Sequence, residues 1–195
     1  TQSRSSAASD VYKRQAKETG TLSDGTVLPF HQIPCLVVDD VSIAQTGAIA
    51  RFCGKLSGLY PTHDDVNAAK IDDFIDFATD LTVMIDNTPN KTDEEKKRKA
   101  RRDLATGPLK RKLSMLEKNI SSDSEWLVTS NISIADVAIW RLLGWLSSGI
   151  LDGMPTDLLS GFPKIRKLCL AVDKHPKIQK WISLTYPNNY TRGNY

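Results

Sequence analysis

The sequence predicts an α+β protein in which a small strand-and-helix unit precedes an all-helical domain. Two patterns predict it: a short β-rich apolar run near residue 35, and a series of segments with helical spacing after Pro61. The composition agrees, because 40% of the 195 residues are hydrophobic and 25% are charged, which is typical of a globular protein with a buried core. The formal net charge of +3 is too small to indicate a polyanionic partner by itself.

The strand-and-helix unit is expected within residues 16–59. The apolar run IPCLVV at residues 33–38 predicts one strand, and VSIA at residues 41–44 predicts a second. Asp39-Asp40 separates the two, so they should form a β-hairpin. A helix over residues 47–56 follows and ends at the Ser57-Gly58 breaker. The predicted order is therefore ββα.

The second domain, residues 62–186, is predicted to be helical throughout. Thr62 is expected to cap the first helix, and the motif Thr92-x-x-Glu95 to open a charged helix as a capping box. Gly107-Pro108 should break that helix. Ser133-x-x-Asp136 resembles another capping box and opens an apolar segment that should be central and mostly buried.

Two shorter helices complete this domain, one beginning near Phe162 and the other at Pro176, which suits a first helical turn. The segment at residues 187–195 is expected to be a tail. Residues 1–15 (TQSRSSAASDVYKRQ) are similar to a translated sequencing-adapter scar, or else form a disordered polar terminus.

The location of the protein is predicted from the lack of a signal or membrane-spanning segment and from the cysteine pattern. Residues 1–15 contain no hydrophobic signal region, and the chain has no 18-residue apolar run. The three cysteines are odd in number and far apart, which favours a reducing compartment over a disulfide framework. We therefore expect a cytoplasmic protein without a membrane partner.

Three ordered motifs resemble the cytosolic glutathione transferases, most closely the sigma, pi and alpha types. Residues 28–40 (LPFHQIPCLVVDD) resemble the segment that passes through a cis-proline into that family's third strand. Residues 45–52 (QTGAIARF) are similar to its Gln-Ser-x-Ala-Ile-x-Arg-Tyr motif, and residues 133–136 (SIAD) to its Ser-x-Ala-Asp box. The resemblance covers residues 28–184. It implies a partial thioredoxin-like domain with ββα remaining, an all-α helical-bundle domain after it, and glutathione as co-substrate.

The resemblance also implies a glutathione site in the first unit. A cis Ile33-Pro34 bond would turn the backbone of Ile33 outward to pair with the cysteinyl part of glutathione. Gln45 and Thr46 lie where a helix begins, so they should hold the γ-glutamyl end. Gln32 resembles a residue that touches the glutathione chain. The alternatives are a trans proline, plain helix capping by Thr46 and a solvated amide at Gln32.

Asp80 belongs to a stripe of like charges with Asp72 and Asp76, which is unfavourable unless cations balance it. The resemblance implies that Asp80 reaches the γ-glutamyl amine bound by the other subunit of a homodimer. The motif Asp72-Asp73-x-x-Asp76 has the spacing of an Asp-rich motif that binds prenyl diphosphates through divalent metal ions. No second Asp-rich helix accompanies it to hold the opposite side of the metals. The histidines have no ligand spacing, so no metal is expected.

Two other patterns favour structural roles. Asp136 is better explained by reciprocal capping with Ser133 than by catalysis. The basic run at residues 96–102 lies among acidic neighbours without aromatic residues between them, which indicates a solvated helix face rather than a nucleic-acid surface.

The expected activity is conjugation of glutathione to small hydrophobic electrophiles. In the resembling types, a tyrosine on the first strand stabilises the thiolate. If residues 1–15 are a scar, residues 16–33 are too few for that strand and its crossover. Tyr12 lies inside the suspected scar and in no strand pattern, so no catalytic residue is assigned and a truncated chain is expected. The alternatives are a prostaglandin-type isomerase and a noncatalytic scaffold or crystallin-like protein of the same fold.

Overall fold

The structure is a computed structural model that describes residues 18–88, 93–186 and 193–195. The chain divides into two compact units between Gly58 and Leu59. The first unit contains strands β1 (Cys35–Val38) and β2 (Val41–Ala44) and helix α1 (Thr46–Ser57). The second contains α2 (Asp65–Asp86), α3 (Glu94–Thr106), α4 (Pro108–Asn119), α5 (Ile134–Ser147), α6 (Pro163–Lys174) and α7 (Pro176–Thr185). Residues 1–15 lie outside the described residues.

Strands β1 and β2 form the predicted antiparallel hairpin. Cys35 pairs with Ala44 at its open end, and Val38 pairs with Val41 beside the turn. The turn residues Asp39 and Asp40 have φ angles of 46° and 65°. Two-residue hairpin turns of type I′ need positive φ at both central positions, and aspartate tolerates this conformation better than most residues.

Helix α1 follows β2 directly and ends where the sequence predicts. Gly58 has a φ of 74° and donates its N–H to the carbonyl oxygens of Gly54 and Lys55. Glycine adopts this left-handed conformation without a steric penalty, so it terminates the helix efficiently.

A compact turn before the hairpin was not predicted. Thr21 and Val27 form an isolated antiparallel bridge, and the Leu22 N–H donates to the Thr26 carbonyl at 2.9 Å. Leu22 and Leu28 are buried and pack with Cys35. This turn gives the hairpin a small apolar support, although its few scattered apolar residues show no helical or strand period.

The N-termini of α2 and α3 differ from the prediction by one or two residues. Asp64, not Thr62, caps α2, and its carboxylate accepts the Asn67 N–H at 3.0 Å. Asp93 caps α3, because it accepts the N–H groups of Glu95 and Lys96. Thr92 lies outside the described residues. In both cases a carboxylate, a stronger acceptor than a hydroxyl, lies next to the helix start.

The other predicted boundaries of the helical unit are confirmed. Gly107 separates α3 from α4, which begins with Pro108. Ser133 and Asp136 form the capping box that opens α5. Helices α6 and α7 both begin with proline.

Helix α5 is the centre of the helical core and packs against α2 and α6. Trp140 is buried, and its indole N–H donates to the buried carboxylate of Asp173 at 3.1 Å. Tyr195 packs against the same core. The apolar side chains with little or no exposure come from several helices: Ile71, Ile75, Leu81, Ile85, Leu109, Leu113, Leu116, Ile139, Leu143, Leu146, Ile165, Leu168 and Val172. None of the described helices is both long and apolar enough to cross a membrane.

Candidate functional site

The hairpin brings the two predicted halves of the site in the first unit to the same end. Cys35 and Ala44 are direct partners, and paired α-carbons of antiparallel strands lie about 4.5–5.5 Å apart. The residues just beyond this pair are Pro34 on one strand and Gln45 on the other. The segment before β1 and the start of α1 are therefore neighbours.

Ile33 presents an unpaired stretch of backbone at this end. The Ile33-Pro34 peptide bond is cis, as predicted. Neither the N–H nor the C=O of Ile33 is hydrogen-bonded to another described residue, and the residue is 47% exposed. Free backbone groups of this kind can pair with an extended peptide as a strand would.

The N-terminus of α1 is open. Gln45 is its N-cap residue, has a φ of 71° and makes no side-chain capping bond. Thr46 is the first residue of the helix rather than its cap, so the capping alternative for Thr46 is wrong. Among the described residues, no side chain accepts the N–H groups of the first turn of α1. These N–H groups and the helix dipole favour a bound carboxylate.

Gln32 lies beside this opening but remains a prediction as a ligand contact. It follows a 3₁₀ turn, Pro29–His31, in which Phe30 and His31 have positive φ. Gln32 itself is extended and exposed. The turn reverses the chain just before Ile33, and the amide of Gln32 is left at the surface.

Asp80 belongs to the helical unit and has a partner within it. Its carboxylate accepts from Lys112 Nζ on α4 at 3.4 Å, and the same Nζ lies 5.5 Å from the ring centre of Phe77. Asp72 accepts the Tyr60 hydroxyl at 3.1 Å. The acidic stripe of α2 is therefore partly balanced inside this unit, which the sequence did not reveal. Contact of Asp80 with glutathione remains a prediction.

Asp136 has the structural role that was expected. Its buried carboxylate accepts the N–H of Leu127 at 2.8 Å, and the N–H and hydroxyl of Ser133 at 2.7 Å each. Burial raises the pKa of this carboxyl above its usual value, although the same hydrogen bonds act in the opposite direction. Asp136 thus ties the loop before α5 to the helix start.

The cysteines provide no nucleophile pair. All three are free thiols. Cys169 is buried in α6, where burial raises the pKa of its thiol and keeps it neutral. Cys53 is exposed on α1, and the Cys35 Sγ lies 3.9 Å from the Val27 carbonyl oxygen.

The helical unit contains a cavity of about 390 Å³ between α2 and α4, and none of the predicted site residues lines it. Phe74, Phe77 and Met115 contribute its apolar part, while Lys70 and Asp73 stand at its polar part. The sequence did not indicate it, because the lining comes from two helices and from the loop before α5, which are distant in the chain.

Comparison with known proteins identifies the family. The family model described as "Glutathione S-transferase, C-terminal domain" matches residues 79–184. Glutathione S-transferase 1 of Ascaris suum is 31% identical over 160 residues, covering 80% of this chain and 74% of that protein. Hematopoietic prostaglandin D synthase of Gallus gallus is 30% identical over 155 residues, covering 80% and 73%.

A solved structure supports the fold. Prostaglandin synthase D of Nilaparvata lugens matches with a TM-score of 0.74 and 24% identity, over 92% of this chain and 82% of that one. The ββα unit is therefore part of a thioredoxin-like domain, and the six helices form the all-α domain that follows it. The chain belongs to the glutathione S-transferase family of enzymes.

Proposed function

We propose that this protein binds glutathione at the open end of the hairpin and transfers it to small hydrophobic electrophiles. The uncapped start of α1 beside the free backbone of Ile33 carries the proposal. Glutathione is an extended tripeptide with a carboxylate and an amine at one end and a second carboxylate at the other. It therefore needs both a peptide edge and an anion site.

Each element of the site suits one part of this ligand. The first-turn N–H groups of α1 and the hydroxyl of Thr46 would hold the γ-glutamyl carboxylate. The backbone of Ile33 would pair with the cysteinyl residue. The amide of Gln45 would hold the γ-glutamyl end together with Thr46, and the amide of Gln32 can donate or accept along the remaining chain. Both amides are exposed.

Asp80 and a homodimer form the second part of the proposal. An aspartate would complete the site by accepting from the γ-glutamyl amine, since the residues assigned to the site in the first unit are all uncharged. Asp80 keeps 63% of its side chain exposed despite its bond to Lys112, so it could serve a ligand held by a second subunit. We place the protein in the cytoplasm, where glutathione is abundant and thiols stay reduced.

Glutathione-dependent isomerisation of a prostaglandin is the alternative activity. The similarity to a prostaglandin D synthase of Gallus gallus favours it. Both activities require the same glutathione site and differ in the second substrate. A scaffold or crystallin-like protein would need neither, so glutathione binding separates the enzyme proposals from this third one. No described residue is assigned to thiol activation, so glutathione binding is the property by which the site is tested.

The experiment is calorimetric titration of the chain with glutathione and with cysteinylglycine, which lacks the γ-glutamyl group. We expect Gln45→Ala and Thr46→Ala to weaken glutathione binding about tenfold each, since hydrogen bonds to a charged group contribute about 1.5–3 kcal/mol. Cysteinylglycine should bind at least as weakly as glutathione binds to these variants. Thr62→Ala, an exposed threonine of the other unit, is the matched control.

Asp80→Asn belongs to the same titration, with Asp86→Asn on the same helix as its control. It should weaken glutathione binding only at concentrations where sedimentation shows a dimer. Equal affinity of the wild type, Gln45→Ala and Thr46→Ala for glutathione, or equal affinity of the wild type for both peptides, would overturn the proposed site.

A further inference from the structure

The exposed charges of α6 and α7 all have one sign. Residues 163–185 contain six lysines and arginines and a single acidic residue, so this segment carries a formal +5 whereas the whole chain carries +3. The acidic residue, Asp173, is buried and bonded to Trp140. The exposed cations are Arg166, Lys167, Lys174, Lys177 and Lys180. None of them forms an ion pair with another described residue.

Apolar side chains lie on the same faces as these cations. At 100° per residue, Lys177, Lys180, Trp181 and Leu184 fall within an arc of about 100° on α7. That arc is opposite Ile182, which is buried. Trp181 is 42% exposed and Leu184 is 74% exposed. The ring of Tyr186 packs edge-on against Trp181, with 5.6 Å between centroids.

Helix α6 repeats the pattern. Arg166, Lys167, Leu170 and Lys174 fall within a similar arc, and Leu170 is 40% exposed. These side chains line a shallow open groove of about 440 Å³, which Glu125 borders as its one acidic member. We call the exposed residues 166, 167, 170, 174, 177, 180, 181 and 184 the basic-aromatic face. This face extends along α6 and α7, and its two parts join at the short connection around His175.

We propose that the basic-aromatic face binds the surface of an anionic lipid bilayer. Lysine side chains are flexible and can bind the phosphates and carboxylates of a lipid surface, because this binding needs no fixed geometry. Trp181 and Leu184 stand between the lysines, where an indole and an aliphatic chain can enter the headgroup region.

This inference modifies the expectation of no membrane partner. That expectation came from the search for a leader and a spanning segment, and an interfacial surface needs neither. The contact would be peripheral and reversible, and it would be strongest on a cytoplasmic leaflet, which carries anionic lipid. It does not depend on the glutathione site, since none of its residues is among those proposed to bind glutathione.

The test is co-sedimentation of the whole chain with phosphatidylcholine vesicles that contain roughly one third phosphatidylserine, compared with vesicles of phosphatidylcholine alone. We expect binding to the anionic vesicles at low salt, little binding to the neutral ones, and loss of binding at high salt. Lys177→Gln and Lys180→Gln should each lower the partition coefficient about fivefold. Lys110→Gln and Lys118→Gln, two exposed lysines of α4, are matched controls with the same change in net charge.

Tryptophan fluorescence gives a second measurement. The emission difference between the wild type and Trp181→Phe isolates this indole from the other three tryptophans, and it should shift to the blue on anionic vesicles. Three results would overturn the proposal: equal binding to both kinds of vesicle, equal loss in the α4 controls, or an unchanged Trp181 emission. Binding to an acidic polypeptide such as polyglutamate but not to vesicles would likewise overturn it and identify a protein surface.

Discussion

Most helices of the helical unit have an N-terminus that a carboxylate closes, whereas the N-terminus of α1 in the hairpin unit is open. Carboxylates of the chain accept the free N–H groups of α2, α3, α5 and α6, through Asp64, Asp93, Asp136 and Glu117. Helices α4 and α7 begin with proline, which removes one of the free donors. Helix α1 has neither device. The described residues supply no acceptor for the N–H groups of its first turn.

The first N–H groups of α6 are accepted by a residue of a different helix. Glu117 belongs to α4, and its carboxylate accepts the N–H groups of Lys164 and Ile165 at 2.8 and 2.9 Å. Lys164 Nζ in turn donates to the Ile120 carbonyl at 2.7 Å. One carboxylate therefore caps α6 and also joins it to the end of α4.

The electrostatics of α3 show what a helix start does to a carboxylate. The N–H of Lys96 holds the pKa of Asp93 below its usual value, with further contributions from the Lys96 ammonium group and the N–H of Glu95. A helix N-terminus therefore stabilises negative charge in this protein. The same property at the open end of α1 is available to the carboxylate of a ligand.

The largest expected effect comes from removing the buried closure of α5. Asp136→Ala leaves the N–H groups of Leu127 and Ser133 and the Ser133 hydroxyl without their acceptor. Unsatisfied buried donors are costly, so the free energy of unfolding in urea should fall by about 3 kcal/mol. Asp157→Ala, at an exposed aspartate, is the control and should change it by less than about 0.5 kcal/mol.

The pH dependence of this effect has a definite sign. Because burial raises the pKa of Asp136, the folded protein holds this proton more tightly than the unfolded chain does. The resulting stabilisation is complete below the unfolded value of 3.8 and is lost as the pH rises through the raised folded value. The stability difference between the wild type and Asp136→Ala should therefore narrow as the pH rises through that window. A stability difference that does not change with pH would contradict the raised pKa of Asp136.

A smaller loss is expected at the long-range cap. Glu117→Ala removes the acceptor of the Lys164 and Ile165 N–H groups, but water can replace it because Glu117 is only half-buried. Urea unfolding should show a loss of about 1–2 kcal/mol. Lys118→Ala, at the neighbouring exposed residue, is the control. If both variants were equally stable, the cap would contribute nothing to folding.

The local features of the fold were predictable from sequence because short-range chemistry determines them. The paired aspartates fix the hairpin turn, Gly58 ends α1, and Gly107-Pro108 separates two helices. The resemblance to the family supplied the cis Ile33-Pro34 bond. Each of these predictions depends on residues that are adjacent or nearly adjacent in the chain.

What the sequence could not predict depends on distant partners or on competition between neighbours. Glu117 and the α6 start are 47 residues apart, and Lys112 is 32 residues from Asp80. The caps of α2 and α3 were misassigned because an aspartate and a threonine lie close together at each start, and local propensity does not decide which side chain reaches the amides. The open end of α1 could be identified only once Thr46 was seen inside the helix.

A carboxylate introduced at position 46 should close the open start of α1. Thr46→Asp places a carboxylate in the first turn of α1, where the dipole should raise the free energy of unfolding by about 0.5 kcal/mol. The same charge should repel the γ-glutamyl carboxylate and weaken glutathione binding at least about tenfold. Thr46→Asn has the same shape without the charge, so the comparison of these two variants isolates the electrostatic effect. Stability and affinity should thus move in opposite directions between the two variants, which a purely structural role of Thr46 does not predict. Equal glutathione affinity of the two variants would show that the N-terminus of α1 does not receive the ligand's carboxylate, and α1 would then be an uncapped helix without a functional reason.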